Sequence, residues 1–510
     1  MTGPDLPPVT TADGAPAGPD EAPDQATDDA PADAPADGGR WQRVHPLTPA
    51  VRSWQGLVVL IFFFAQDFGQ RFLPGGGFGG GFGGDLPDVG GRVLAGGGAV
   101  VLVLVLLAVG LVVLSWRMTR YRVTADALEL HQGILFRSQR QARLDRLQAV
   151  DVVQPLVARI FGLARLTLEV AGGSDSRIEL SYLTDTQAHR LRRHLLARAA
   201  GVDYETEEAP EAPEHHVLEV PGQRLALSLL FCGTTATLVV LVALLVGSAV
   251  VTGRPAFLTV LLPGLIGTAS VLWRRFSSGF GFTVTSSPDG VRLRHGLLEH
   301  RAQTVPPGRV QAVQVSQPLL WRRQDWWQVR INVAGYGSGP EQSQEAESTL
   351  LPVGTRAEAL AVLALVLPDL GVGDAEHPSA VIGAGLTGVQ GEGGFTGSPR
   401  SARWVDPVAW RRNGFRVTDQ ALLLRAGRLR RRLEVVPHAR TQSCGVAQGP
   451  LQARLGLASF VLHSTPGPIG PGVQHLPVGV AADLLQRQAE RAHRARLLAG
   501  PERWMERRAE

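Results

Sequence analysis

Arginine recurs in this chain where a strand and turn would hold it against an anion. Around the dipeptide Ala426-Gly427 stand Arg425, Arg428, Arg430, Arg431 and Arg432. A guanidinium is a planar fork that donates two parallel hydrogen bonds to a phosphate, so this residue type at this spacing points to phosphate chemistry. On a strand, Arg430 and Arg432 share one face and Arg431 takes the other. Related segments place Arg137 and Arg140 after Gly133, and Arg292 and Arg294 before Gly296 with Arg301 after it. Near an anionic leaflet each such residue contributes about 1 kcal/mol. The competing reading is a solvated basic face. A second cluster, Trp321, Trp326 and Trp327, suits core packing, an interfacial membrane belt or a partner interface.

Other chemistries find little support. Residues 74–91 formally contain G-x-G-x-x-G, but a phosphate cradle needs a strand before it and a helix after it, and apolar segments flank this one. His215-His216 has no further ligand at useful spacing, so no metal is expected. Asp145 and Asp151 have no acidic counterparts in the related segments, where Pro307-Gly308 and Gln314 stand. A repeated acid–base pair is thereby excluded. No metalloprotease, nucleophile-elbow or Walker motif occurs. The expectation is a protein that is not an enzyme, with no cofactor, no metal and no nucleic-acid partner. Cys232 and Cys444 offer no disulfide framework, which fits a reducing compartment. All 50 basic residues are Arg, as a GC-rich genome favours, so their abundance alone says little about a ligand.

The arginines sit in a pattern that is written three times. Each copy opens aromatic-x-Val-Thr at Tyr121, Phe282 or Phe415 and reaches a turn glycine, Gly133, Gly296 or Gly427. Each ends at a Gln before Pro or Gly-Pro: Gln154-Pro155, Gln317-Pro318 and Gln448-Gly449-Pro450. Alternation at Leu166, Leu168 and Val170 predicts strands. Thr184 to Gln187 reads as a capping box for a helix with Ala188, Leu191, Leu195 and Ala199 on one stripe. The other copies predict closing helices from about Thr355 to Leu367 and from about Val480 to Leu497. Each unit is a small β-barrel or sandwich capped by a C-terminal helix.

Apolar blocks divide the copies. Residues 93–115 and 225–251 are long enough to cross a bilayer, 256–273 is marginal, and 51–68 spans if Arg52 reaches the interface. Nine arginines near one set of ends (Arg40, Arg43, Arg52, Arg117, Arg120, Arg122, Arg224, Arg274, Arg275) outnumber three near the other (Arg71, Arg92, Arg254), which places the repeated domains and both termini in the cytoplasm. Residues 1–40 carry nine acidic residues against Arg40 and read as a disordered acidic tail.

Membrane pairs followed by aromatic-x-Val-Thr … Gly … Arg-(Leu/Val)-Gln-x-Val … Gln-Pro-Leu resemble the bacterial pleckstrin-homology (PH)-like membrane proteins, closest to the YdbT-like type with three such domains. The stretch Ala402-Arg-Trp-Val-Asp-Pro-Val-Ala-Trp-Arg-Arg-Asn-Gly is similar to that type as well. The resemblance implies partly open barrels of about seven strands, each plugged by a helix, and carries no catalytic motif. The expected fold class is an integral membrane protein: four transmembrane α-helices in two pairs plus three PH-like domains. The expected order is tail 1–40, first pair 51–115 with an external loop at 74–91, domain one 116–201, linker 202–223 and second pair 224–275. Domain two then covers 276–371, a flexible linker 372–401, domain three 402–498 and a tail 499–510. The expected role is a multi-pass scaffold or adaptor in the bacterial cytoplasmic membrane. Its partners would be proteins, further copies of itself or anionic phospholipid of the inner leaflet, and the resemblance links it to envelope stress resistance. The alternative is a lipid-headgroup sensor acting through domain three. A transporter subunit ranks lower, because the spans carry no buried ionisable residue to mark a pathway beyond Asp67 and Arg71 at the end of the first.

Overall fold

A computed structural model describes residues 41–48, 116–124, 127–133, 138–144, 147–170, 177–199, 214–252, 256–287, 290–306, 308–334, 348–373, 376–465 and 467–498, with isolated positions between 51 and 114. The expected tails 1–40 and 499–510, the 74–91 loop and nearly all of the first apolar pair lie outside the described residues.

The first copy holds β1 (Gln42–Arg43), β2 (Arg120–Val123), β3 (Ala127–Gln132) and β4 (Ser138–Arg143) in one sheet. β5 (Leu147–Pro155), the short helix α1 (Leu156–Ile160), β6 (Leu163–Val170), β7 (Arg177–Thr184) and the closing helix α2 (Asp185–Ala199) follow. The second copy repeats this with β8 (His215–Glu219), three helices α3 (Gly222–Leu230), α4 (Gly233–Thr252) and α5 (Ala256–Gly279), then β9 (Thr283–Ser287), β10 (Gly290–His295) and β11 (Glu299–Val305). It continues with β12 (Val310–Pro318), a 3-10 turn at Leu319–Arg323, β13 (Trp326–Val333), β14 (Thr349–Thr355) and α6 (Arg356–Val366). The third runs α7 (Pro378–Thr387), β15 (Thr396–Gly397), β16 (Gly414–Val417), β17 (Ala421–Ala426), β18 (Arg430–Pro437), β19 (Ser443–Ala447), α8 (Pro450–Arg454), β20 (Leu457–His463), β21 (Gly472–Pro477) and α9 (Val478–Leu498).

Local chemistry explains why the copies match. Gly133, Gly296 and Gly427 have φ of 106°, 114° and 75°, which L side chains rarely adopt. A Cβ on Gly296 would also stand 1.8 Å from the Glu299 carbonyl oxygen, so the hairpin turn admits no side chain there. The prolines that close β5 and β12 cannot extend the ladder, and each precedes a short helical turn. The Thr184 hydroxyl accepts from Gln187 N, and Thr355 with Glu358 forms a full capping box, so the closing helices start as the sequence predicts.

The seven strands of each copy do not close into an independent barrel. Three-stranded and four-stranded sheets from neighbouring copies merge instead: β7-β6-β5 runs on into β11-β10-β9-β8, and β14-β13-β12 into β18-β17-β16-β15. Glu299 stands opposite Pro155 in the first junction, and Arg430 opposite Pro318 in the second. The apolar core follows the sheets: Leu423, Leu433 and Val435 of the third copy pack in one cluster with Val313, Val315 and Trp327 of the second.

Several expected boundaries are corrected. The first strand of each of the first two copies lies before its apolar block, so β8 falls within the expected 202–223 linker and the helical hairpin is an insertion between β8 and β9. Residues 372–401 are not a flexible linker throughout. Val381, Ile382 and Leu386 of α7 are buried against the β17–β18 side of the shared core, which an unstructured Gly-rich segment would leave in water. The expected span 225–251 is broken at Phe231-Cys232, where Thr235 Oγ1 donates to the Leu229 carbonyl. The break lets α3 turn onto the second domain, where it buries Leu225 and Ser228. Among the described residues one helix, Gly233–Val251, is long and apolar enough to cross a membrane, with 19 uncharged residues and none buried. It extends about 28 Å. The four-helix count is therefore not established, and α5 continues past the expected 273 to Gly279.

Trp321 pins this bend, since its Nε1 donates to the Ser228 carbonyl at 3.0 Å. Trp321→Phe removes that bond and leaves part of the indole's buried volume empty, so it should cost about 2 kcal/mol. Hydrogen exchange of residues 225–231 in the full chain checks it; the expected result is faster exchange there with the remaining sheets unchanged.

A basic cleft at the base of the helical hairpin

The hairpin meets the domains at one level. Arg275 near the end of α5 donates to Thr234 Oγ1 at the start of α4, at 3.3 Å, so the two helices share one base. The β10–β11 turn is fastened to that base: Gly296 N donates to Phe280 O and Leu297 N to Ser277 O, both at 2.8 Å. The two sheet junctions hold their turns and short helices together in the same way. Arg159 of the first copy meets His300 at 2.9 Å, and Arg322 of the 3-10 turn donates to the Arg428 carbonyl. Large apolar side chains are exposed on these turns and short helices: Ile160 and Phe161, Leu298, Leu319 and Leu320, and Leu429.

A cleft of about 370 Å³ opens between this base and the junction of the second and third domains. Leu225, Leu229, Val271, Phe282 and Trp321 form its apolar wall. Arg274 and Arg275 from α5, Arg330 from β13 and Arg430 from β18 supply its charge. None of its lining residues is acidic. Arg430 reaches Ser316 Oγ and Gln328 Oε1 at 3.4 and 3.3 Å, both neutral groups. Such an arrangement attracts an anionic group with an apolar body, because the walls exclude water while the guanidinium groups donate hydrogen bonds.

A second cleft, of about 710 Å³, lies at the other junction and is lined by Arg159, Arg294, Arg301, His189 and His300. Its charge is partly neutralised from within the fold. Arg294 pairs with Glu214 at 2.8 Å and Arg301 with Glu299 at 2.9 Å. Burial pulls the Glu214 carboxyl up, but the hydrogen bond from Arg292 and the charges of Arg294 and Arg292 outweigh it and hold the group below its ordinary value. His295 lines both clefts. Its Nδ1 meets the Ser278 carbonyl at 2.7 Å and its ring stacks on Phe282.

The arginines singled out in the sequence thus separate. Arg430 lines the basal cleft, while Arg431 binds Gln317 Oε1 at 3.3 Å on the other face, as strand alternation requires. Arg428 and Arg432 are exposed. Arg292 and Arg294 are held by Glu214. Arg140 is half-buried on β4, and Arg137 lies outside the described residues. Arg425 is corrected outright as a lipid contact. It is fully buried, donates to the carbonyls of Arg412, Ala384 and Val389 at 2.9 to 3.0 Å, and lies 4.4 Å over the Phe395 ring. Arg412 beside it donates to the carbonyls of Gly385, Leu386 and Gly388. Burial first, and then the charges of Arg425, Arg431 and Arg322, push Arg412 down to about 9.

The tryptophans separate too. Trp327 is a core residue with its Nε1 bound to Asp325 at 2.8 Å, so it belongs to no belt or interface. Trp321 lies buried in the cleft wall, and Trp326 packs edge-on against it with centroids 6.4 Å apart. Sequence reasoning missed Arg274, Arg275 and Arg330 as cleft residues. Arg274 and Arg275 had registered as topology signals, and Arg330 alternates in β13 as any solvated strand residue does.

A family model described as the bacterial PH domain matches residues 77–199, 236–370 and 362–492. The UPF0699 transmembrane protein YdbT of Bacillus subtilis (strain 168) is 20% identical over 289 residues, which cover 50% of this chain and 57% of that protein. The matched stretch therefore spans less than two thirds of that relative's length. No solved structure matches the chain.

Proposed function

The chain belongs to the bacterial PH-domain family, and on that premise we propose that it is a membrane-anchored, non-enzymatic scaffold whose basal cleft holds an anionic lipid headgroup. The observation that carries the reading is the placement of Arg274, Arg275, Arg330 and Arg430, without an acidic neighbour in the lining, at the root of an apolar helix long enough to span. A phospholipid offers the matching chemistry: phosphate for the arginines, glycerol and upper acyl chain for Leu225, Leu229 and Trp321. The exposed leucines of the turns would enter the same leaflet, so the domains lie along the membrane rather than project from it. The positive-inside bias makes that leaflet the cytoplasmic one. A multi-pass topology with the first apolar pair also spanning completes the proposal. The scaffold role toward protein partners rests on the absence of any repeated catalytic constellation in the sequence.

The test uses the full chain in nanodiscs. Adding an anionic phospholipid to neutral discs should raise the thermal stability of the second domain, because a ligand that binds only the folded state stabilises it by mass action. Removing two guanidinium groups with Arg330→Gln and Arg430→Gln should weaken the anionic lipid by roughly 30-fold, at about 1 kcal/mol each. Arg487→Gln on α9, whose side chain pairs with Asp483 at 2.9 Å, should leave it unchanged. Equal stabilisation by neutral lipid would sink the reading.

A further inference from the structure

The two sheet junctions obey one rule, and two further described strands fit it without being joined. In each junction the residue three after the turn glycine stands opposite the residue that follows the strand's last Gln: Glu299 opposite Pro155, and Arg430 opposite Pro318. In each, the residue five after the glycine faces the equivalent of Val153: Arg301 opposite Val153 and Arg432 opposite Ser316. The register within each domain fixes the third equivalent, because Val153, Ser316 and Ala447 pair with Arg165, Gln328 and Ser459, each three residues after the left-handed Gly162, Asp325 or Gly456. Among the described residues β19 pairs with β20 alone and β4 with β3 alone. They match the two halves of such a junction.

Burial agrees. Val152 and Val315, which sit inside junctions, are 2% and 0% exposed, whereas the equivalent Val446 is 38% exposed. β19, Ser-Cys-Gly-Val-Ala, carries no charge to discourage pairing. The closing helix α9 packs on β19 as α2 packs on β5, and α2 does not prevent β5 from pairing with β11.

We propose that β19 of one molecule pairs antiparallel with β4 of a second copy, in the register of the two internal junctions, so that molecules join head to tail along the membrane. Ala447 then faces Ser138, Val446 faces Gln139, and Cys444 faces Gln141. The contact is heterologous, so it either closes a ring or runs on as a filament. Both internal junctions keep turns and short helices together at one end, and repeating them keeps the hairpins of successive copies entering one bilayer.

Disulfide trapping tests this with the full chain in native membranes, in a background carrying Cys232→Ser and Cys444→Ser. One tagged chain carries Ser138→Cys and a differently tagged chain carries Ala447→Cys. Gln139→Cys with Val446→Cys is run beside it. Adjacent antiparallel pairs alternate in spacing, and one of the two is the close kind with Cα atoms about 4.5 Å apart, within disulfide reach. The expected result is a dimer band bearing both tags from the mixed chains, and none from any variant alone. Equal dimer from single variants would reveal a symmetric contact and overturn the proposal. So would the absence of a mixed band when the internal pair Gln154→Cys with His300→Cys, already opposite each other, does close.

Discussion

Arg425→Ala should release α7 from the third domain at a cost of about 3–5 kcal/mol. Three donors of this buried guanidinium are spent on the carbonyls of Arg412, Ala384 and Val389. Ala384 lies in the last turn of α7 and Val389 just beyond it, where the helix dipole is negative, and each carbonyl also accepts one backbone N–H, from Gly388 and Glu392. Alanine removes all three of these charge-assisted bonds, at about 1 kcal/mol or more apiece, and opens a cavity beside Phe395, while Ala384 O and Val389 O keep their backbone donors. A lysine has one ammonium and a different reach, so Arg425→Lys should recover only part of the loss. Arg412→Ala should behave similarly, since it holds Gly385, Leu386 and Gly388. A merged-sheet protein will not unfold in two states. The measurement is therefore protease protection of residues 378–389 across a urea series, with wild-type protection in the alanine variant as the contradicting outcome.

Acid should weaken the second domain between about pH 6.5 and pH 4, by up to about 3 kcal/mol. The group responsible is His295, pushed down to about 4 by burial. Its bond to the Ser278 carbonyl, which uses Nδ1 as donor, and the charge of Glu299 work the other way, while Arg301 and His300 add to the depression. The added proton would have to sit on Nε2, which is buried and finds no hydrogen-bond partner. Between those pH values the unfolded chain binds a proton that the folded chain refuses, so stability falls as pH falls and the loss is complete below about 4. His295→Phe, which keeps a ring on Phe282, should flatten that slope at the cost of one hydrogen bond. His438, lowered first by burial, bends the third domain in the same direction, so the comparison is wild type minus variant. The check is thermal unfolding of the full chain at pH 7, 5.5 and 4.5; an unchanged slope in the variant would contradict the assignment.

What the sequence made legible was local. A turn glycine, a capping box and a proline after Gln each act within a few residues, and Gly296, Thr355 and Pro318 do what their types predict. The partner of a strand edge is a different matter. Nothing in the alternation of residues 152–155 says that they pair with 299–302 of the next domain, because period two fixes which face is buried and not which neighbour completes the ladder. Arg425 was misplaced for a related reason. Arginine is exposed by default, and only the helix termini folded over it explain its burial. Residues 372–401 looked like linker by their glycines, yet Val381, Ile382 and Leu386 carry the apolar stripe that seats α7. The break at Phe231-Cys232 was hidden inside an unbroken apolar run, where hydropathy records length and not direction. Of the basal cleft's arginines only Arg430 was foreseen, beside Trp321 of its wall, since the other three come from elements far apart in sequence from β18.

Occupancy of the basal cleft by an anionic lipid is the central expectation. Native mass spectrometry of the full chain released from nanodiscs of equal neutral and anionic phospholipid measures its occupancy directly. One anionic lipid should remain bound to the wild-type chain, retained at high salt better than any neutral lipid, and Arg330→Gln with Arg430→Gln should abolish that retention. Retention of neutral and anionic lipid alike, or an anionic lipid that the double variant holds as tightly, would contradict it.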